Sequence, residues 1–253
     1  MLVLGLAGGT ASGKTTLARL LRERIGADAV RILTMDSYYK DASQLTLEER
    51  SKLNFDHPSQ FETSLMVSHV RALKRCEAVD VPVYDFERHV RDPTRSMRVT
   101  PPPVLILEGI LLFVEPELRD LIDVKVFVDA SADVRFVRRL RRDAAERARS
   151  PESVCEQYMN TVRPMHTLYV EPSKAHADVV VLNDEDSISE AALSLLVARA
   201  AVHIESSPLA TKRPKRLRGA NAALADEGAA TDADATTVSP DDHVAVSVAM
   251  GGP

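Results

Sequence analysis

Apolar residues along this chain come in two patterns, short continuous runs and helically spaced stripes, and the two alternate. Leu2 to Ala7 is a continuous apolar run ending in glycines, which predicts a strand buried on both faces. Gly8 to Gly13 is a glycine-rich turn. From Thr15 to Ile25 the residues Leu17, Leu20, Leu21 and Ile25 recur at helical spacing. Val30 to Met35 predicts a second strand, closed by Asp36. Strand, loop, helix, strand implies a parallel βαβ unit, because parallel neighbours need a crossover.

The middle of the chain is less regular. Thr46 to Leu53 predicts a short helix, with Thr46 and Glu49 spaced as a capping box. Thr63 to Cys76 carries Leu65, Met66, Val70 and Leu73 on a helical stripe. Val79 to Phe86 alternates around Pro82, which suits an edge strand or an extended loop. Val104 to Leu107 predicts a strand ended by Glu108-Gly109, and Val124 to Val128 another. Ser131 opens a helix with Asp133 in its first turn, where the helix dipole favours an acid. Its apolar stripe is Val134, Val137, Leu140, Ala144 and Ala148. Its other faces carry Arg135, Arg138, Arg139, Arg141 and Arg142, a pattern that ordinarily marks a solvated surface. Glu152 to Val162 predicts a helix ended by Pro164. Val179 to Leu182 predicts a last strand, and Ile188 to Ile204 a last helix.

Composition narrows the class. The 253 residues are 45% hydrophobic, enough for one domain with a sizeable core. Net charge is −5, so the chain as a whole is no electrostatic nucleic-acid binder. Cys76 and Cys155 form no CxxC pattern, which fits a reducing compartment and two structural thiols. The N-terminus lacks the basic region and long apolar run of a signal peptide, and no stretch is long enough to span a membrane. The expectation is a cytoplasmic protein. From position 206 the composition turns to Ala, Asp, Thr and Gly, with a basic run from Lys212 to Arg218 and acids up to Asp242. Residues 206–253 are expected to be a disordered tail.

Gly8-Gly9-Thr10-Ala11-Ser12-Gly13-Lys14-Thr15 satisfies G-x-x-x-x-G-K-[ST] in full. Glycines let the backbone turn tightly and aim its N–H groups at phosphate oxygens. Lys14 would reach the β- and γ-phosphates, and the Thr15 hydroxyl would face Mg²⁺. The setting between an apolar strand and an amphipathic helix is the one this motif requires. Two acids fall at strand ends, Asp36 and Glu108. In open parallel sheets ligands gather at the carboxyl ends of strands. A phosphotransferase needs one acid near Mg²⁺ and one to take a proton from the attacking hydroxyl.

Further segments resemble the uridine/cytidine kinases, which sit with phosphoribulokinase among the P-loop kinases. The resemblance runs from residue 2 to residue 182. Met35-Asp36-Ser37-Tyr38-Tyr39-Lys40 is similar to the family's catalytic segment, and Asn54-Phe55-Asp56-His57-Pro58 to its nucleoside segment. Val83-Tyr84-Asp85-Phe86 with His89 resembles its base-recognition segment. Arg138-Arg139-Leu140-Arg141-Arg142-Asp143, then Glu146-Arg147, Arg149 and Gln157-Tyr158, resembles its arginine lid. Val162-Arg163-Pro164-Met165 and Glu171-Pro172-Ser173-Lys174 match its C-terminal pattern. After Leu182 the chain departs from it: the acidic turn Asn183-Asp184-Glu185-Asp186 replaces an Arg-Gly-rich one near the donor base.

The resemblance implies an α/β fold of the P-loop NTPase type: three layers, a central parallel sheet, and a small nucleoside-binding and lid region. The kinase domain would occupy residues 1–205. The implied reaction is phosphorylation of the 5′-hydroxyl of uridine or cytidine, with ATP or GTP as donor and Mg²⁺. Asp36 would be the general base. Gly8 through Thr15, with Thr16, Arg142 and Arg147, would hold the nucleotide. Thr15, Asp36 and Glu108 would hold Mg²⁺, Glu108 directly or through water. Asp56 would accept from the ribose hydroxyls beside Arg149, and Tyr84 and His89 would read the pyrimidine edge. Tyr39, Phe55 and Phe86 would pack near the base, with Arg139 and Gln157 helping to hold the nucleoside. The resemblance also implies a homo-oligomer, often a tetramer. Two other classes stay open: a sister kinase acting on a sugar phosphate, and a non-catalytic nucleotide-binding regulator.

Overall fold

The computed structural model describes residues 1–206 apart from Glu87, Ala148 and Asp186. The expected tail, and Ala148 of the expected stripe, lie outside the described residues.

Strand β1, Leu2–Ala7, is buried throughout. The phosphate motif follows, and helix α1, Lys14–Ile25, leads to β2, Val30–Thr34. Met35 opens a short 3₁₀ turn rather than ending the strand. Helix α2, Leu47–Ser51, carries the expected capping box, with both reciprocal bonds between Thr46 and Glu49. Helix α3, Thr63–Lys74, is followed by β3, Val79–Asp85, and β4, Val90–Val99. Then come β5, Val104–Glu108; α4, Pro116–Arg119; β6, Val124–Asp129; and α5, Ala132–Glu146. Helix α6, Pro151–Gln157, precedes β7, Val179–Leu182, and the last helix spans Glu190–Ser206.

Five strands form one parallel sheet in the order β2-β5-β1-β6-β7. The period-2 alternation of β1 divides the core. Leu2, Leu4 and Leu6 pack on α1 and the last helix, while Val3 and Ala7 join α3 and Phe113 on the other face. Helices on both faces give three layers, as the alternating pattern requires. All five strands run the same way, so their carboxyl ends share one edge. The loop after β1, Asp36 after β2 and Glu108 at the end of β5 meet there.

Three expectations need correction. β4 was not anticipated, and it pairs antiparallel with β3, from Val79 opposite Val99 to Asp85 opposite Val90. Its sequence VRDPTRSMRV is largely polar, and only Val90 and Val99 are buried, so no alternation marks it. Pro164 does not end a helix. A helical run continues from Pro151 to His176, with wide π-type turns over Tyr158–Val162 and His166–Val170. Each wide turn precedes a proline, Pro164 or Pro172, and relieves the clash of its ring with the carbonyl four residues back. The third correction concerns α5. Its buried residues are Arg135, Arg139 and Asp143, and Val137 is exposed. Arg135 and Arg139 point inward, Arg138 and Arg142 are half-buried, and Arg141 stays exposed.

Among the described residues no helix is long and apolar enough to cross a membrane. Both thiols are free, Cys76 exposed and Cys155 partly buried.

Candidate active site

The phosphate loop is shaped by close approach. Gly8 has φ +138°, and a Cβ there would lie 2.1 Å from the Val128 carbonyl oxygen. Gly13 has φ +103°, and a Cβ there would meet Asn183 Nδ2 at 2.3 Å. Only glycine satisfies both constraints at each position. Gly13 caps α1 without a side-chain bond, so the first N–H groups of the helix stay available to an anion. Lys14 Nζ donates to Gly9 O at 2.8 Å, which folds the side chain over the loop. Burial lowers the Lys14 pKa to about 8, against the raising influence of Glu108 and Asp36.

Thr15 Oγ1 donates to Glu108 Oε2 at 2.8 Å. Burial pushes the Glu108 carboxyl above its ordinary pKa, opposed by Lys14 and by the Thr15 bond. Burial likewise raises Asp36, opposed by Lys14, Arg147, Arg142 and Arg139. Thr15, Asp36 and Glu108 offer hard oxygen donors of the kind Mg²⁺ takes. Among the described residues no three His, Cys, Asp or Glu side chains gather as a metal cage.

A cavity of about 1080 Å³ extends from this loop. Thr10, Ala11, Gly13, Lys14, Thr15 and Thr16 of the loop line it, as do Asp36 and Glu108. Tyr39, Phe55, Asp56, Tyr84, Phe86 and His89 line it too, with Arg139, Arg142, Arg147, Arg149 and Gln157. Of the residues proposed from sequence, Gly8, Gly9 and Ser12 do not line it and form the back of the loop.

The aromatic residues form a connected cluster. Tyr39 stacks on Phe61 at 4.4 Å between centroids and lies 5.0 Å from Tyr84. Phe55 stacks on His89 at 5.2 Å, and Phe86 meets Tyr84 edge-on. The unexpected strand β4 supports this wall: Arg91 donates to Tyr39 O at 2.7 Å and to Glu62 at 2.6 Å. Burial lowers the His89 pKa, helped by Arg149 and Arg147, so the imidazole is neutral at pH 7. Asp56 is buried and its pKa is raised by that burial, with Arg139 as the main opposing charge.

Helix α5 supplies part of the wall. Arg139 donates to Thr10 Oγ1 at 2.9 Å and to Gln157 Oε1 at 2.7 Å, tying the phosphate loop to α6. Arg149 also donates to Gln157 Oε1, at 2.5 Å. Arg147 lies over the Phe86 ring, 5.3 Å from its centroid.

Several residues escaped the sequence reading; Arg19 and Ile188, for instance, also line the cavity. Buried Arg135 donates to Ala130 O and presses against Gly9, where a Cβ would lie 2.7 Å from its Nη1. It sat on the helix face expected to be solvated. Asn183, in the acidic turn, is buried, donates to Ser12 O at 2.7 Å and lines the cavity. Asp184 and Glu185 do not line it. Asp184 accepts from Ser131 N at 2.5 Å and Oγ at 3.0 Å, and Arg138 donates to the carbonyls of Asn183 and Glu185. The Asp184 carboxylate is thus engaged locally, and the Asn183 amide faces the loop.

Comparison with known proteins shows the family. The profile of the Phosphoribulokinase / Uridine kinase family matches residues 3–187. The uridine kinase of Chloroflexus aurantiacus is 48% identical over 207 residues, covering 82% of this chain and 98% of that one. The uridine kinase of Chloroflexus aggregans is 53% identical over 179 residues, covering 71% and 85%. In fold, D-glycerate 3-kinase from Cryptococcus neoformans is similar at TM-score 0.53 and 16% identity, over 74% of this chain and 89% of that one. Phosphoribulokinase from Rhodobacter spheroides is similar at TM-score 0.51 and 13% identity, over 72% and 69%. With its phosphate loop, strand-end acids and arginine wall around one cavity, this chain belongs to the phosphoribulokinase / uridine kinase family.

Proposed function

We propose that this protein transfers the γ-phosphoryl group of ATP to the 5′-hydroxyl of uridine or cytidine, giving UMP or CMP and ADP. The observation that carries the reading is the make-up of the cavity's lining. Beside the phosphate loop and Asp36 it holds a second buried acid, a neutral histidine and a set of aromatic rings. A nucleoside carries no charge, so it is gripped by stacking and by directional hydrogen bonds. A sugar phosphate brings a dianion and no ring for these aromatic side chains to flank. The curated relatives at 48% and 53% identity carry the name uridine kinase, which supports the same acceptor.

In this reading Asp36 accepts the proton of the attacking hydroxyl. Burial raises its pKa, which makes it a better base than an exposed aspartate, against the lowering influence of Lys14 and the arginines. Asp56 accepts hydrogen bonds from the ribose diol, since one carboxylate can take two. Tyr84 and neutral His89 offer a donor and an acceptor to the pyrimidine edge. Tyr39, Phe55 and Phe86 flank the ring. Gly8 to Thr15, with Thr16, wrap the phosphates through main-chain N–H groups. Arg142 and Arg147 neutralise charge that builds on the transferred group, and Arg139, Arg149 and Gln157 hold the nucleoside side. Thr15, Asp36 and Glu108 would hold Mg²⁺, which neutralises phosphate charge.

The test is a panel. The protein is incubated with Mg²⁺ and ATP, and with uridine, cytidine, adenosine or ribulose 5-phosphate, while ADP release is followed. ADP release with uridine or cytidine is expected. Release with the sugar phosphate alone would sink the proposal, and no release with any acceptor would favour a regulator.

A further inference from the structure

Within the arginine wall stands a carboxylate to which the reading above gives no task. Asp143 has a side-chain exposure of 0%, the most enclosed charge in the wall. Arg142 Nε and Nη2 donate to its Oδ1 at 2.9 and 2.8 Å. Arg147 Nη1 lies 3.5 Å from Oδ1, Arg139 Nε 3.5 Å from Oδ2, and Arg149 Nη1 3.7 Å from Oδ2. Four guanidiniums thus converge on one carboxyl group. The chain beyond α5 is also tied to it, since the N–H of Arg149 donates to the Asp143 carbonyl at 3.2 Å.

This geometry has a physical reason. Four arginines aimed into one cavity repel one another, and each long side chain has many rotamers that point to water instead. A buried anion at their centre offsets the repulsion and selects the rotamers that converge. The same carboxylate also steadies two parts of the cavity wall. Arg139 continues from Asp143 to Thr10 on the phosphate loop, and Arg149 continues to Gln157. Asp143 does not line the cavity, so it acts on bound molecules only through these arginines.

We propose that Asp143 is a positioning residue that holds Arg139, Arg142, Arg147 and Arg149 aimed into the cavity, and thereby sets both nucleotide affinity and the rate of phosphoryl transfer. The rate part rests on the proposed kinase activity; the affinity part does not. The competing view is that Asp143 merely offsets charge. The two views predict opposite signs. Removing one negative charge beside phosphates tightens nucleotide binding if charge alone matters. It weakens binding if the arginines lose their aim.

The experiment compares Asp143→Asn and Asp143→Glu with the unaltered full chain. Mg²⁺–ATP binding is titrated without any acceptor, and turnover of uridine is measured separately. Asp143→Asn is expected to weaken ATP about tenfold and to lower kcat roughly 30-fold. Asp143→Glu keeps the charge but moves the carboxyl by one methylene, and is expected to lower kcat about tenfold. Adding Asp143→Asn to an Arg142→Ala, Arg147→Ala background should cost less than it does alone, because the residue acts through those side chains. A merely structural role would add in full. Tighter ATP binding in Asp143→Asn, normal rates in Asp143→Glu, or loss of the fold in both variants would each overturn the proposal. If the unaltered chain binds ATP but does not turn over uridine, the proposed activity fails, while the sign of the affinity change still decides the role of Asp143.

Discussion

Helices α1 and α5 both border the phosphate loop, both have an apolar and a charged face, and they bury opposite ones. α1 buries Leu17, Ala18, Leu21 and Ile25 against Leu193, Leu196 and Ala200 of the last helix, and leaves its arginines outside. α5 buries Arg135, Arg139 and Asp143, and exposes Val137. The difference lies in what each helix faces. An apolar neighbour favours the apolar stripe. Next to α5 stand a phosphate loop, Gln157 and carbonyl groups, all of which reward donors. Amphipathicity therefore states that a helix has two faces, and the neighbour decides which one is inside. It follows that α1 acts at the cavity through its first turn and through Arg19, which also lines it, and that its apolar face is scaffold. α5 acts through side chains along its length.

The largest effect should fall at the first turn of α1. Lys14→Ala is expected to lower kcat/KM for ATP by roughly 10³-fold. The thermal midpoint should hold or rise, because burying the Lys14 ammonium opposes folding. Steady-state kinetics and a melting curve check both, and a variant keeping a tenth of its activity would break this assignment. One turn further on, the same helix should respond only in stability. Leu17→Ala is expected to cost about 3 kcal/mol in denaturant unfolding, and Val137→Ala on α5 less than about 0.5 kcal/mol. Equal costs would mean that α5 buries its apolar face after all.

How much was legible follows the same division. The stretch from Gly8 to Thr15 could be read because its task is done by the backbone, and a backbone task leaves a contiguous residue pattern. The parallel strands were legible because burial on both faces makes them continuously apolar. Asp36 and Glu108 were legible by place, each at the end of such a strand. β4 was not, because its stability comes from pairing with β3 and from Arg91 and Arg98 bonds that follow no period. Asp56, Tyr84 and His89 came only from resemblance. Each is an ordinary residue locally, and nothing in a linear pattern brings a loop and a hairpin to the same cavity. Asn183 was hidden by its acidic neighbours, of which Asp184 has its charge answered by Ser131 and Arg138.

A middle-sized effect should separate charge from geometry on α5. Arg139→Lys keeps the charge but cannot reach Thr10 and Gln157 together, since an ammonium lacks the planar fork. kcat/KM is expected to fall about tenfold. An unchanged value would show that the wall works as a diffuse positive field, and the contrast between the two helices would reduce to packing.

The smallest effect belongs to the proton on Lys14. Burial brings its pKa down to about 8. A bound phosphate favours the charged form and so raises that pKa. A ligand that raises a pKa binds best when the group is already protonated, so ATP affinity should be level below pH 8 and decline as pH rises through it. The expected loss is roughly threefold between about pH 7.5 and about pH 8.5. Titration calorimetry across that range measures it. Lys14→Arg supplies the control, because a guanidinium stays charged throughout and the decline should vanish. A decline that persists in Lys14→Arg would move the titrating group away from the head of α1. A profile that is flat in the unaltered protein would mean that the Lys14 ammonium, despite its burial, keeps its proton well above pH 8.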